Sequence, residues 1–472
     1  MRADRPYKRP WSAAAEYGGV GLISLIGPIK QPAPRWPFAV GLAAALLGAP
    51  VSSGAQARPD PLGEQVLAVR ARHIETVSHG TIEGGVIVVR GGKIVAVGAD
   101  AKVPVGARVL EADTVMPGIV GAYSLMGGVG ATAGQARSDP HLRIADELYP
   151  WDPAYRGLVR AGVTTLAIFP AGRGFPGQGA IVRTEADSVE RMTLAPNGPL
   201  AIDFAPNTQT IDLIRNTLQA ARPPAAAGPG TGTPSPAAVT ERQGDRAGAS
   251  DPPAAPVELT PGEEQIRGQR RRQSGAQPRA PGPSAPPDVR RAPVARAVAG
   301  ETPTIIDCPD AASADYLLPL LKPFDALKPV FILGVTDMFR AAGAFGGARA
   351  SVVLPAAITV ESLTRNRINA PAIYAKAGCK VALRPVEDSP DGYATLRYQV
   401  GDLVRNGLDR QTALRAITLS PAEMLGIADR VGGIDAGRDA NLLLLDADPL
   451  AAAGRVRAVL LEGRMVYEEP AR

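Results

Sequence analysis

Histidine is scarce in this chain. Among 472 residues there are three, His73, His79 and His141, together with two cysteines and no lysine between Lys102 and Lys322. His73 and His79 lie beside the first predicted hairpin and His141 ahead of the second apolar run, so the three do not assemble a zinc site of the usual kind, whose donors must converge on one point. Cys308 and Cys379 are too few for a disulfide framework and leave a single bridge as the alternative. Aromatic residues make up 4% of the chain, while glycine and proline number 52 and 46, so an ordered body is expected beside at least one unstructured segment. The length is ample for one large domain or several smaller ones.

Charge excludes another class of partner. The formal net charge is +5, but residues 1–57 carry +4 of it, so the rest of the chain is close to neutral. A nucleic-acid partner is therefore not expected. Within that leader, RWPFAVGLAAALLGAPVSSGAQA (35–57) sets Arg35 ahead of an apolar run and ends in Ala-x-Ala, the order of a secretory signal peptide. Cleavage is predicted after Ala57, and a periplasmic or secreted protein is expected. The run is short for a bilayer, so no stable membrane span is expected after cleavage, with a membrane anchor as the alternative.

From 223 to 299 the chain turns to Pro, Ala, Gly, Ser and Arg without one aromatic, Cys, Lys or His. Such a segment buries too little apolar surface to offset its ordering entropy, and it reads as a disordered insertion. Its RGQRRRQ stretch (267–273) has no interleaved aromatic on which bases would stack.

The remainder is patterned. GGVIVVRGGKIVAVG (84–98) predicts a hairpin turning at Gly91-Gly92, and the residues around 438–468 again read as strands, so both chain ends are β-rich. Between them, short apolar runs alternate with helical stretches: MPGIVGAYSL, AGVTTLAIFP, PLAIDFAP, PTIIDC, KPVFILGV, ASVVLP and KVALRP. Continuous apolar strands separated by helices predict a parallel sheet covered by helices, and seven or more of them favour a barrel.

Four stretches carry a resemblance to a known family: IVVRGGKIVAVG with VMPGIVGAYSL; PWDPAYRGLVRAGVTTLAIFPAGRGFPGQGAIV; INAPAIYAKAGCKVAL; and ALRAITLSPAEMLGIADRVGGIDAGRDANLLLLDADPL. The chain resembles the amidohydrolase superfamily, in its imidazolonepropionase-like branch. That resemblance implies an α/β fold, a distorted (β/α)8 barrel (116–426) with a small β-sandwich formed by both chain ends (58–115 plus 427–472). It implies hydrolysis of C–N bonds by one or two divalent metals that activate water.

The metal ligands the resemblance implies are replaced. A His-x-His pair belongs at the end of the first barrel strand, where residues two apart face the same side. Here those positions hold Tyr123 and Leu125, and Gly121 stands where an Asp usually precedes them. Asp307 and Pro309 occupy positions held by histidines in related barrels. The late acid falls at Val386, with Glu387 and Asp388 in a shifted register. No metal is expected, with zinc or another divalent ion as the alternative.

The expected function is an exported amidohydrolase-family protein without metal-dependent hydrolysis, a pseudoenzyme binding a small amide-like ligand or pairing with an active relative. The alternative is a hydrolase of non-peptide C–N bonds with a rebuilt carboxylate site, Asp307 and Asp388 being catalytic and Cys308, Asp310 and Glu387 nearby. Tyr123, Leu125 and, by resemblance of the AGRGFPGQG loop (171–179), Gly177 and Gln178 are expected to line the ligand site. That loop lacks the Gly-Lys-Ser/Thr ending of a phosphate loop, so no nucleotide is expected. A third reading makes the insertion the functional part of a scaffold.

Overall fold

The computed structural model describes residues 66–127, 137–195, 198–222, 290–335, 337–361 and 363–470. The leader and residues 223–289 of the insertion lie outside the described residues.

Both chain ends join one seven-stranded sheet. Its central pair is Val66–Glu75 and Arg108–Pro117, parallel, and Leu442–Leu445 of the C-terminal part lies antiparallel on the latter. Thr81–Arg90 and Lys93–Gly98 form the predicted hairpin. Both of its turn residues, Gly91 (φ +56°) and Gly92 (φ +78°), adopt the positive φ that a tight hairpin of matching twist requires. The sheet curls so that Ile94 exchanges backbone hydrogen bonds with the segment at Gly437–Arg438, and Val69, Ile87, Ile94, Val115, Leu442 and Leu460 share one apolar core. The strands of both chain ends thus gather in one end sheet, in line with the β-rich ends expected from sequence.

Seven parallel strands form the barrel wall: Ile119–Ser124, Val163–Ile168, Leu200–Asp203, Thr304–Cys308, Pro329–Leu333, Ser351–Pro355 and Lys380–Arg384. Each has a predicted apolar run at its centre. Their residues alternate between two cores. Val120, Ala167, Ala201, Ile305, Ile332 and Ala382 fill the barrel interior, whereas Leu166, Leu200, Ile306, Phe331, Val352 and Leu383 face the covering helices. One such helix is Pro153–Ala161, opened by Asp152 accepting from the Ala154 N–H at 2.8 Å and closed by Gly162 at φ +90°. It packs against Pro390–Arg405, with Gly157 lying against Pro390.

An eighth wall segment runs the other way. Gly174–Gln178 pairs antiparallel with Leu200–Asp203, and Ala180–Arg183 pairs antiparallel with Val163–Ile168. This corrects the loop reading of 171–179. The break falls at Gly179, where an added Cβ would meet the Phe169 ring at 2.4 Å. Across the last seam, between Lys380–Arg384 and Ile119–Ser124, no ladder forms among the described residues. The Val120 N–H instead donates to Ile417 O, and the residues after it, Ala422, Met424 and Leu425, plug the interior.

The expected insertion reaches too far at its C-terminal end. Residues 292–298 form the helix Ala292–Val298, which buries Val294, Ala297 and Val298 in the outer core. Both cysteines are buried free thiols, so the alternative of a bridge is corrected. No helix among the described residues is long and apolar enough to cross a membrane.

Candidate functional site

Side chains two apart on a strand share a face, so the residue two beyond the last interior apolar position of each strand rims the barrel mouth. Applied to Ala201, Ile305 and Ala382, that rule gives Asp203, Asp307 and Arg384. Asp203 and Asp307 are register partners on adjacent parallel strands. Arg173, in the short turn after Val163–Ile168, reaches Asp203 Oδ1 with its Nη1 at 3.4 Å. Burial raises the Asp307 carboxyl from its ordinary 3.8 to about 6, Asp203 adds to this, and Arg384 and Arg173 oppose it. Asp203 is likewise raised by burial against the pull of Arg173.

Tyr123 lies near the end of the first barrel strand, Ile119–Ser124. Its phenol stacks on Phe169, centroids 5.4 Å apart and planes 18° from parallel, above the apolar interior. Burial, then Asp307 and Asp203, hold its hydroxyl well above the ordinary phenol range, so it stays protonated. Leu125 is 42% exposed and contributes its backbone instead: its N–H donates to Asp388 Oδ2 at 2.7 Å, and Ser124 Oγ donates to the same oxygen at 3.2 Å. Asp388 is raised by burial, and these hydrogen bonds pull the other way. Its Oδ1 is buried without a partner. Gly121 has no room for an acid, since an added Cβ would lie 2.4 Å from Leu166 Cδ1 and 2.6 Å from Tyr393 Oη.

The structure thus brings together Tyr123, Asp307 and Asp388, and adds Asp203, Arg173 and Arg384. Other expected residues fall elsewhere. Gln178 is the register partner of outward-facing Leu200, and its Oε1 accepts from Arg296 Nη2 at 3.0 Å, so it ties a covering helix to the wall and does not line the mouth. Gly177 pairs with Ala201, and a Cβ there would meet Leu142 O at 2.7 Å. Cys308 faces the outer core, opposite Asp307, and burial pushes its thiol up to about 12. Asp310 caps the helix Ala311–Leu321 by accepting from the Ser313 N–H at 2.7 Å. Glu387 is exposed. His73 and His79 pair with Glu83 and Asp435 in the end sheet. A cleft of about 1160 Å³ also lies along that sheet, between residues such as Lys93, Arg430 and Arg464.

Comparison with known proteins agrees with this architecture. The profile of the Amidohydrolase family matches residues 392–467, the last covering helices and the C-terminal strands of the end sheet. Amidohydrolase tasK of Hapsidospora irregularis is 36% identical over 64 residues, which are 14% of this chain and 6% of that protein. Among solved structures, an amidohydrolase from Thermotoga maritima MSB8 superposes with a TM-score of 0.64 at 18% identity, covering 85% of this chain and all of that one. A prolidase complexed with N-methylphosphonate-L-proline covers 86% of this chain, with a TM-score of 0.47 at 16% identity. Residues 392–467 are thus similar to the Amidohydrolase family, and the chain shares its fold with the solved Thermotoga maritima amidohydrolase.

Proposed function

We propose that this is an amidohydrolase-fold binding protein without metal-dependent hydrolysis, its ligand seated at the barrel mouth. The carrying observation is the pair of positions at the end of the first barrel strand. A protonated phenol stacked on Phe169 and an alkyl chain stand where the resemblance implies imidazoles. A histidine-held zinc, or another divalent ion in its place, does not fit these residues. Leu125 has no lone pair, Asp388 Oδ2 is engaged by Ser124 and Leu125, and two guanidinium groups share the ring with the carboxylates. Loss of even one ligand weakens such a centre severely.

The test is metal content. Residues 58–472, dialysed against excess zinc, manganese or iron and washed, are expected to retain well under one ion per chain by elemental analysis. One ion or more per chain defeats the reading.

A second reading, C–N bond hydrolysis at a rebuilt carboxylate site, is favoured by the Asp203–Asp307 pair. A carboxyl near pKa 6 beside one paired with Arg173 is suited to acid and base work near neutral pH. Hydrolysis of dipeptides or cyclic amides that disappears in Asp307→Ala would establish it. Export through the leader, to the periplasm or beyond, and pairing with an active relative complete the proposal.

A further inference from the structure

The rim of the barrel is unevenly furnished. Passing from the Asp307 strand to the Arg384 strand, the two strands between them offer Gly334 and Pro355 at the equivalent inward positions, beyond Ile332 and Val353. Neither carries a long side chain. Three strand spacings, ~14 Å of wall, therefore separate an acidic pair from a guanidinium with little side chain between them.

Arg384 is partly buried, and its Nε is buried without a partner. Its hydrogen bond from Nη1 to Pro385 O is long at 3.4 Å, and among the described residues it forms no ion pair. Asp307 and Asp388 act on this guanidinium only at longer range, so part of its desolvation cost is left for an anion from outside to relieve. Across the gap the imbalance is reversed. Arg173 pairs with Asp203 alone, so Asp307 has no salt-bridged cation among the described residues and meets Arg384 and Arg173 only at longer range. A ligand cation there would settle the second carboxylate. A simple anion would meet the acidic pair, and a simple cation would meet Arg384.

We propose that the mouth binds a small zwitterion, its carboxylate on Arg384 and its ammonium on the Asp203–Asp307 pair. The proposal rests on the binding reading above and names the ligand class.

Titration calorimetry of the full mature chain with ω-amino acids from glycine to 6-aminohexanoate tests it, with monoacids and monoamines of equal length as controls. At least one amino acid is expected to bind about tenfold or more tighter than both of its controls. Arg384→Gln is expected to remove that advantage while leaving the monoamine unchanged. Asp307→Asn is expected to remove it while leaving the monoacid unchanged or tighter. Arg384→Lys keeps the charge in case Arg384→Gln fails to fold, and is expected to retain part of the preference. A monoacid that binds as tightly as its amino acid, an Arg384→Gln protein with unaltered affinity, or no binding by any member at about 20 mM overturns the proposal. Metal content and amide hydrolysis are measured on the same preparation. A metal-loaded, hydrolytic protein that still prefers zwitterions refutes the binding-only reading and leaves this one standing.

Discussion

Replacing Asp307 by asparagine should change how stability depends on pH. In the folded protein its carboxyl titrates near 6, against an ordinary 3.8, because burial and neighbouring Asp203 both penalise the charged form. Between those values the folded state holds a proton that the unfolded chain has released. Stability from this group is therefore fully present below about pH 4 and is lost as pH rises to about 6, after which the deficit is constant. The interval corresponds to on the order of 3 kcal/mol, an upper figure because Asp307 is only partly buried. Asp307→Asn removes the group, so the variant should gain on the native protein progressively between pH 4 and 6 and exceed it by about 2 kcal/mol at pH 7.5. Urea unfolding followed by circular dichroism at a series of pH values measures the difference. Parallel curves for the two proteins would refute the assignment of the raised carboxyl to Asp307. Repeating the series in Asp203→Asn, where the midpoint should fall toward the ordinary value, checks the second cause.

Gly121→Ala should destabilise the protein by about 1–3 kcal/mol, because its Cβ would press on Leu166 and the Tyr393 hydroxyl; thermal unfolding reads this directly. Ellman's reagent should find no fast-reacting thiol in the native protein and two after denaturation, since Cys308 and Cys379 are buried, free and pushed up to about 12 and 11. One thiol or none after denaturation would count against it. Gln178→Ala should cost about 1 kcal/mol of stability by orphaning Arg296 while leaving ligand affinity at the mouth unchanged; a calorimetric loss of affinity would return Gln178 to the site.

Much of the barrel was legible because buried parallel strands write themselves as short apolar runs, and all seven appear where those runs lie. Gly174–Arg183 was not, because FPGQG carries a proline and glycines that read as a turn, and only pairing with strands on either side makes it a wall. The same error displaced Gln178: as a loop residue it is free to face the mouth, but as a strand residue it must share a face with Leu200. Tyr123, Asp307 and Asp388 follow from laying the ligand spacing of the resembled family onto the chain. Asp203 and Arg384 were missed because they match no ligand position, yet the alternation in LAID and KVALR points both inward two residues past a buried alanine. Arg173 lay beyond sequence reasoning, since its partner is fixed by the reversed strand.

That reversed strand has a mechanical consequence. It begins at the rim, where Gly174 pairs with Asp203 beside Arg173, and ends at Arg183, whose guanidinium grips Glu462 of the end sheet at 2.6–2.8 Å. Ten residues of strand, ~30 Å long, thus form a strut from the rim to the opposite end of the wall, hydrogen-bonded to neighbours along its length. A load applied at Glu462 is transmitted to Arg173 with little slack, so the terminal sheet serves as the footing of the rim.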